Sequence, residues 1–105
     1  MQFLTLSRRR AERCCEAGFH LRLEAEAGLV GDLRRAGIIQ QIWHRGDAPG
    51  ECLLIEARNE EAARAILELS PLVDSGLFEI EAVVPLRSYD GLPSSSLGPQ
   101  SPQAD

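Results

Sequence analysis

The sequence lacks a long apolar run and a surplus of positive charge. No segment approaches the roughly 20 apolar residues that a membrane-spanning helix requires, and the opening MQFLTL precedes its arginines, which is the reverse of a secretory signal peptide. The formal charge is −5, whereas a protein that binds nucleic acid needs a basic face to neutralise phosphates. We therefore expect a cytoplasmic protein that binds neither membrane nor nucleic acid.

Cysteine is also scarce. Cys14, Cys15 and Cys52 form an odd set in a chain without an export signal, which argues against a disulfide framework. Cys14 and Cys15 are adjacent in a helical pattern, so their side chains point about 100° apart and cannot both bind one metal ion. We expect reduced thiols and no metal site.

Length and composition bound the architecture. A chain of 105 residues with 44% hydrophobic content can form one small domain. From Asp90 onward the sequence DGLPSSSLGPQSPQAD has too few apolar groups to offset the entropy cost of ordering it. The prediction is a single domain over residues 1–89 and a disordered tail over residues 90–105.

Hydrophobic periodicity predicts four strands and two helices within that domain. We expect strands over 2–6, 38–45, 51–58 and 77–86, and helices over 11–36 and from an N-cap at Asn59 to Ser70. Gly37 is a suitable stop for the first helix, and the loop at 46–50 has the residues of a hairpin turn. With right-handed crossovers, this order predicts a ferredoxin-like α+β sandwich: a four-stranded antiparallel sheet with two helices on one face.

Strict alternation of side chains divides the strand residues between the two faces of this sheet. The set predicted to face the helices is Leu4, Leu6, Ile42, Leu53, Ile55, Ile80 and Ala82. The set predicted for the open face is Phe3, Thr5, Ile39, Gln41, Trp43, Arg45, Cys52, Leu54, Glu56, Glu79, Glu81 and Val83. An apolar face of this size needs a cover. We therefore expect a homodimer or a larger assembly of dimers, with a small-molecule pocket between the two sheets.

Four patterns follow one another along residues 1–89. They are Leu33-x-x-x-Gly37-x-Ile39-x-x-x-Trp43, the turn ending in Pro49-Gly50, Ile55-Glu56-Ala57 before Glu61-Ala62, and Leu69-Ser70-Pro71-Leu72 followed by Glu79-x-Glu81-x-x-x-Pro85-Leu86. Together they resemble the muconolactone isomerase-like proteins of the dimeric α+β barrel superfamily. The resemblance implies a subunit that associates through its sheet and a reaction, without a cofactor, that moves a double bond in an unsaturated lactone during aromatic-compound breakdown.

The sequence departs from this family at two places near the expected pocket. Trp43 is followed by His44, where the isomerases typically have arginine, and Phe3 is followed by Leu4, where their first strand tends to carry a histidine. The resemblance therefore implies the fold more directly than the reaction.

A double-bond shift needs a base, its conjugate acid and a donor for the developing oxyanion. Glu56 is the first candidate for the base, because desolvation on the open face would raise its pKa. His44, at a strand end, is the second candidate. The expected substrate-binding residues are Arg45 for a carboxylate, Gln41 for a carbonyl, Trp43 as an apolar wall, and Phe3, Leu54 and Glu81 beside them.

Other interpretations of these residues stay open. Glu56 could form an ion pair with an arginine across the hairpin, His44 could be a solvated structural residue, and Trp43 could pack in an interface. For the whole chain, the alternatives to an isomerase are a non-catalytic ligand-binding or assembly module and a cofactor-free monooxygenase of the same superfamily. Proteins that share a scaffold can differ in all of these respects.

Overall fold

The computed structural model describes residues 1–10 and 19–89. Its elements are β1 (Gln2–Arg9), α1 (Phe19–Arg35), β2 (Ile39–His44), β3 (Glu51–Glu56), α2 (Glu60–Glu68), α3 (Pro71–Asp74) and β4 (Phe78–Pro85). The predicted start of the first helix, with Cys14 and Cys15, and the predicted tail lie outside the described residues. None of the described helices has the length and apolarity needed to cross a membrane.

The four strands form one sheet in the order β2-β3-β1-β4, and all neighbours are antiparallel. One face of the sheet packs against the helices, where Ile55 and Val83 join Ala63 and Leu67 of α2 in the core. Val30 and Leu33 extend this core from α1. The predicted ferredoxin-like α+β fold is confirmed.

Two predicted helix ends are confirmed: the start of α2 at Asn59 and the end of α1 before Gly37. Asn59 caps α2, because its Oδ1 accepts a hydrogen bond from the peptide N–H of Ala62 at 2.8 Å. Gly37 follows α1 with φ of +78°, the left-handed conformation that favours glycine. The short helix α3 was not predicted, because four residues are too few to show a helical period.

The predicted assignment of side chains to the two faces of the sheet is right for β3 and wrong for β1. Phe3 and Thr5 are 0% and 2% exposed on the side of the helices. Leu4 and Leu6 pair with Leu54 and Cys52, which places them on the open face. Both faces of β1 carry apolar side chains, so alternation alone could not choose between them; the large Phe3 ring fills the core.

Two irregularities in the ladder correct the predicted faces of β2 and β4. On β2, Ile39 pairs with Ile55 but Gln41 pairs with Leu54, so Gln40 is an extra residue and Ile39 faces the helices. On β4, Leu6 pairs with Ala82 and Ser7 with Ile80, so Glu81 is the extra residue. Such a bulge reverses the alternation beyond it. The reversal places Val83 in the core and Ala82 on the open face.

Candidate functional site

A cavity lies between the helices and the sheet, on the covered side of the sheet. Its volume is about 40 Å³, enough for a few water molecules. Most of its lining is apolar, including Leu29, Leu33 and Ile66. The polar residues of this inner cavity are Thr5, Ser7, Glu26, Glu51 and Ser70.

A larger pocket adjoins the inner cavity. It has a volume of about 280 Å³, near the lower end of the range of roughly 300–1,000 Å³ common for ligand sites. This outer pocket is lined by Arg9, Leu23, His44, Arg45, Pro49, Gly50, Glu51 and Phe78. Glu51 and Phe78 also line the inner cavity. The two spaces therefore share a wall, and together they are called the helix-side site.

Glu51 is the titratable group at that shared wall. It begins β3 and lies opposite His44 of β2 in the ladder. Burial raises the pKa of the Glu51 carboxyl, the negative charge of Glu26 raises it further, and His44 acts in the opposite direction. Its carboxyl therefore takes up and releases a proton closer to neutral pH than an exposed glutamate, as general acid–base chemistry requires.

Two serines fix the surroundings of Glu51. The Ser70 hydroxyl donates to Glu26 Oε1 at 2.5 Å and accepts from the peptide N–H of Val73 at 3.2 Å, so the start of α3 holds the Glu26 side chain. The Ser7 hydroxyl accepts from the peptide N–H of Glu51 at 3.2 Å. Ser7 therefore holds the Glu51 backbone in place from β1.

Arg9 supplies a positive charge to the outer pocket. It lies opposite Phe78 in the ladder, and its guanidinium forms no ion pair with the residues that the structure describes. Arg8 differs from it, because its Nε contacts Glu81 Oε2 at 2.6 Å. Within residues 1–10 and 19–89, no three His, Cys, Asp or Glu side chains form a group that could hold a metal ion.

Of the predicted site residues, His44 and Arg45 reach the helix-side site. Gln41 and Trp43 lie on the open face with Leu54, since Gln41 pairs with Leu54 and Trp43 with Cys52. Trp43 is 47% exposed there. Phe3, which was expected beside them, is enclosed in the core.

Glu56 is an exposed residue at the end of β3. Its carboxylate forms an ion pair with the amino group of Met1. An ion pair was the alternative interpretation of Glu56, but its partner is this amine and not the expected arginine. The catalytic role of Glu56 stays a prediction.

Arg45 is bound on two sides by carboxylates, and its side chain is only 8% exposed. Its Nε and Nη2 donate to the two Asp47 oxygens at 3.0 and 2.8 Å, and its Nη1 donates to Glu81 Oε1 at 2.5 Å. The hydrogen bonds from Arg45 lower the pKa of Asp47 to about 2 and hold the pKa of Glu81 below its usual range. A substrate carboxylate would have to compete with both groups for Arg45.

Sequence reasoning missed Glu26, Glu51, Ser70 and Arg9 as functional candidates. A signal for Glu51 was available, because the correct alternation along β3 places it on the same face as Leu53 and Ile55. An acidic residue on an otherwise apolar, helix-facing side is unusual. No comparable signal marks Glu26, which follows the general pattern of charges along its helix.

No protein-family model matches this chain, and no curated protein matches it. A solved structure is similar in fold: 5-chloro-2-hydroxyhydroquinone dehydrochlorinase (TftG) from Burkholderia phenoliruptrix AC1100, in complex with 2,5-dihydroxybenzoquinone. The two chains are 22% identical with a TM-score of 0.55, over 87% of this chain and 96% of that chain. The likeness shows the ferredoxin-like α+β fold and does not single out the muconolactone isomerases.

Proposed function

We propose that this chain is a small enzyme of aromatic-compound breakdown that moves a proton on an unsaturated ring compound in the helix-side site. The observation that carries the proposal is Glu51, a part-buried carboxyl with a raised pKa at the wall shared by the inner cavity and the outer pocket. The apolar lining around it suits a flat ring.

In the proposed reaction, ionised Glu51 removes a proton from a ring carbon next to a carbonyl. The C–H electron pair moves into the ring and onto the carbonyl oxygen, forming an enolate. His44, on the neighbouring strand, is placed to donate a hydrogen bond to that oxygen. Protonated Glu51 then returns the proton at another ring carbon, so the double bond shifts and no atom is gained or lost.

Two comparisons support a ring compound of this class. The resemblance to muconolactone isomerase-like proteins implies an unsaturated lactone as substrate. The fold neighbour acts on a chlorinated hydroxyhydroquinone and was solved with a dihydroxybenzoquinone. Proton removal from a ring is a step that a lactone isomerase and a dehydrochlorinase can share, and we propose this step for the chain. Isomerisation of an unsaturated lactone is the more specific reaction that we propose within it.

The test is to remove one carboxyl at a time. With muconolactone and 5-chloro-2-hydroxyhydroquinone as probes, turnover and exchange of ring hydrogens with D₂O are followed by NMR. We expect Glu51→Gln to lower the rate by about 10² to 10⁴-fold, the usual scale for loss of a general base or acid. The wild-type rate should rise with pH through the raised pKa of Glu51, because the base must be ionised.

Glu56→Gln is the matched control, since it makes the same change on the same strand but on the open face. A large loss from Glu56→Gln with none from Glu51→Gln would place the reaction on the open face instead. A loss from His44→Ala alone would make histidine the base. Binding of these probes without turnover or exchange would replace the enzyme with a ligand-binding module.

We also propose that a second copy of the chain covers the open face. Leu4, Leu6 and Leu54 form a half-buried apolar band there, with Trp43 and Val84 exposed beside it. An apolar sheet face of this kind is stabilised by burial against another surface. A homodimer that joins two such faces would leave the two helix-side sites on its outer sides.

A further inference from the structure

We propose that the ligand of the helix-side site carries a carboxylate, that Arg9 binds this group in the outer pocket, and that the opposite edge of the ring points into the inner cavity. This inference rests on the proposed function, because it concerns the same site. It assigns an orientation and a ligand class that proton transfer alone does not require.

The first step is the polarity of the inner cavity. Glu26 and Glu51 contribute carboxyl groups to it, Thr5, Ser7 and Ser70 contribute hydroxyls, and none of its described lining residues is basic. Such a lining repels an anion and accepts hydrogen bonds. The part of the ligand that enters is therefore neutral and can donate a hydrogen bond, as a ring hydroxyl does.

The second step is the polarity of the outer pocket. Arg9, His44 and Arg45 are its basic lining residues. Asp47 and Glu81 already neutralise Arg45, as described above. The acidic residue among the described lining of this pocket is Glu51, which lies at the wall shared with the inner cavity. Arg9 is therefore the permanent cation with hydrogen-bond donors to offer an anionic ligand.

The third step is the rigidity of the strand end that carries Arg9. The peptide N–H of Arg9 donates to the Pro49 carbonyl at 2.9 Å, and that of Arg10 donates to the Leu77 carbonyl at 2.7 Å. The backbone at Arg9 is thus held by the β2–β3 loop on one side and by the start of β4 on the other. When Arg9 binds a carboxylate, the entropy cost therefore falls on its side chain and not on its backbone.

Arg8 provides a matched control for Arg9. The two arginines are neighbours on β1, and alternation places Arg8 on the open face, where it pairs with Glu81. Replacing either residue with glutamine removes the same charge at almost the same point in the chain. Only Arg9→Gln removes it from the helix-side site.

The experiment measures binding and not turnover, so it can succeed or fail independently of the proposed reaction. The probes are 2,5-dihydroxybenzoate and its neutral amide, 2,5-dihydroxybenzamide, each titrated by NMR against the full chain. We expect the wild-type protein to bind the carboxylate about tenfold more tightly, the scale of one charge-assisted hydrogen bond. Arg9→Gln should abolish that preference, and Arg8→Gln should keep it.

Three results would overturn the inference. They are equal binding of the two probes, a preference that survives in Arg9→Gln, and no binding of either probe at millimolar concentration. The proposed function fails differently: a clear preference for the carboxylate, lost in Arg9→Gln, together with no hydrogen exchange on any ring probe, would keep the ligand class and remove the reaction.

Discussion

Arg45 is held in place by its own hairpin and by the two strands beyond it. Its guanidinium joins Asp47 in the loop to Glu81 at the bulge of β4 and also donates to the Ser7 carbonyl at 3.3 Å. One side chain therefore connects the β2–β3 loop to both strands on the other side of the sheet. We interpret it as a structural centre, in keeping with the proposal that Arg9 binds the anionic group.

The ion pairs of Arg45 with Asp47 and Glu81 predict that the protein loses stability in acid. The folded-state pKa of Asp47 is about 2 against an ordinary 3.8, and that of Glu81 is also lowered, so the unfolded chain binds more protons in this range. The stabilisation is present above the ordinary values and is lost as the pH falls from about 4.5 to about 2. We expect urea denaturation to show a falling free energy of unfolding over this window.

Arg45→Met separates this cluster from acid denaturation in general. It keeps much of the apolar stem and removes both ion pairs, so the pH dependence between 4.5 and 2 should flatten relative to the wild type. An unchanged slope in Arg45→Met would mean that other carboxylates are responsible for the acid sensitivity.

At the scale of elements, the β2–β3 hairpin determines the shape of the outer pocket. Its loop supplies Pro49 and Gly50 to the pocket wall and returns the chain to Glu51. The hairpin closes where the peptide N–H of Arg45 donates to the Gly50 carbonyl at 3.0 Å. Gly50 lies in close contact with the backbone of Ser7 and Arg8 on β1.

Gly50 lies so close to the backbone of β1 that there is no room for a side chain at this position. Its φ is +154°, and an added Cβ would lie 2.0 Å from the Ser7 carbonyl oxygen, which is backbone and cannot move aside. We expect Gly50→Ala to reduce the free energy of unfolding by at least about 2 kcal/mol. In a domain of this size that lowers the Tm by at least about 8 °C in calorimetry.

Gly46→Ala is the control in the same loop, because nothing lies within 4 Å of its added Cβ. Its effect should stay within about 0.5 kcal/mol, as for ordinary surface positions. Equal losses from the two substitutions would show that the loop as a whole, and not the contact with β1, limits stability.

At the scale of the whole molecule, the two faces of the sheet differ in what they carry. The helix-covered face holds the candidate site, and the open face carries the apolar band with Trp43. The alternation of side chains in the sequence had predicted both the pocket and the subunit interface on the open face. The proposed second copy on the open face would leave the helix-side site uncovered.

Assembly gives the prediction at this scale. Light scattering should give a mass at least twice the 11.5 kDa of one chain. Trp43→Arg should shift it toward the monomer, because a charge in the buried centre of an interface opposes association. Leu21→Arg, on α1 at a side chain already 71% exposed, should leave the mass unchanged. A wild-type monomer would contradict the proposed dimer.

The sequence by itself determined the order of elements, the cap at Asn59, the stop at Gly37 and the alternation along β3. Each of these depends on residues close together in the chain, so local chemistry was sufficient. It also named His44 as a candidate, and this residue lines the outer pocket. The order of strands and helices was also sufficient to predict the ferredoxin-like α+β fold.

Tertiary structure decided the faces of β1, the extra residues Gln40 and Glu81, and the meeting of Glu26 with Glu51. Strand register depends on how whole strands pack, and a bulge changes the face of every residue beyond it. The carboxyls of Glu26 and Glu51 come from different elements, 25 positions apart in the chain, and only packing of α1 on the sheet brings them to one cavity. Alternation divides the side chains of a strand between two faces, but it does not decide which face the helices cover. The set of residues under the helices therefore could not be predicted from alternation alone.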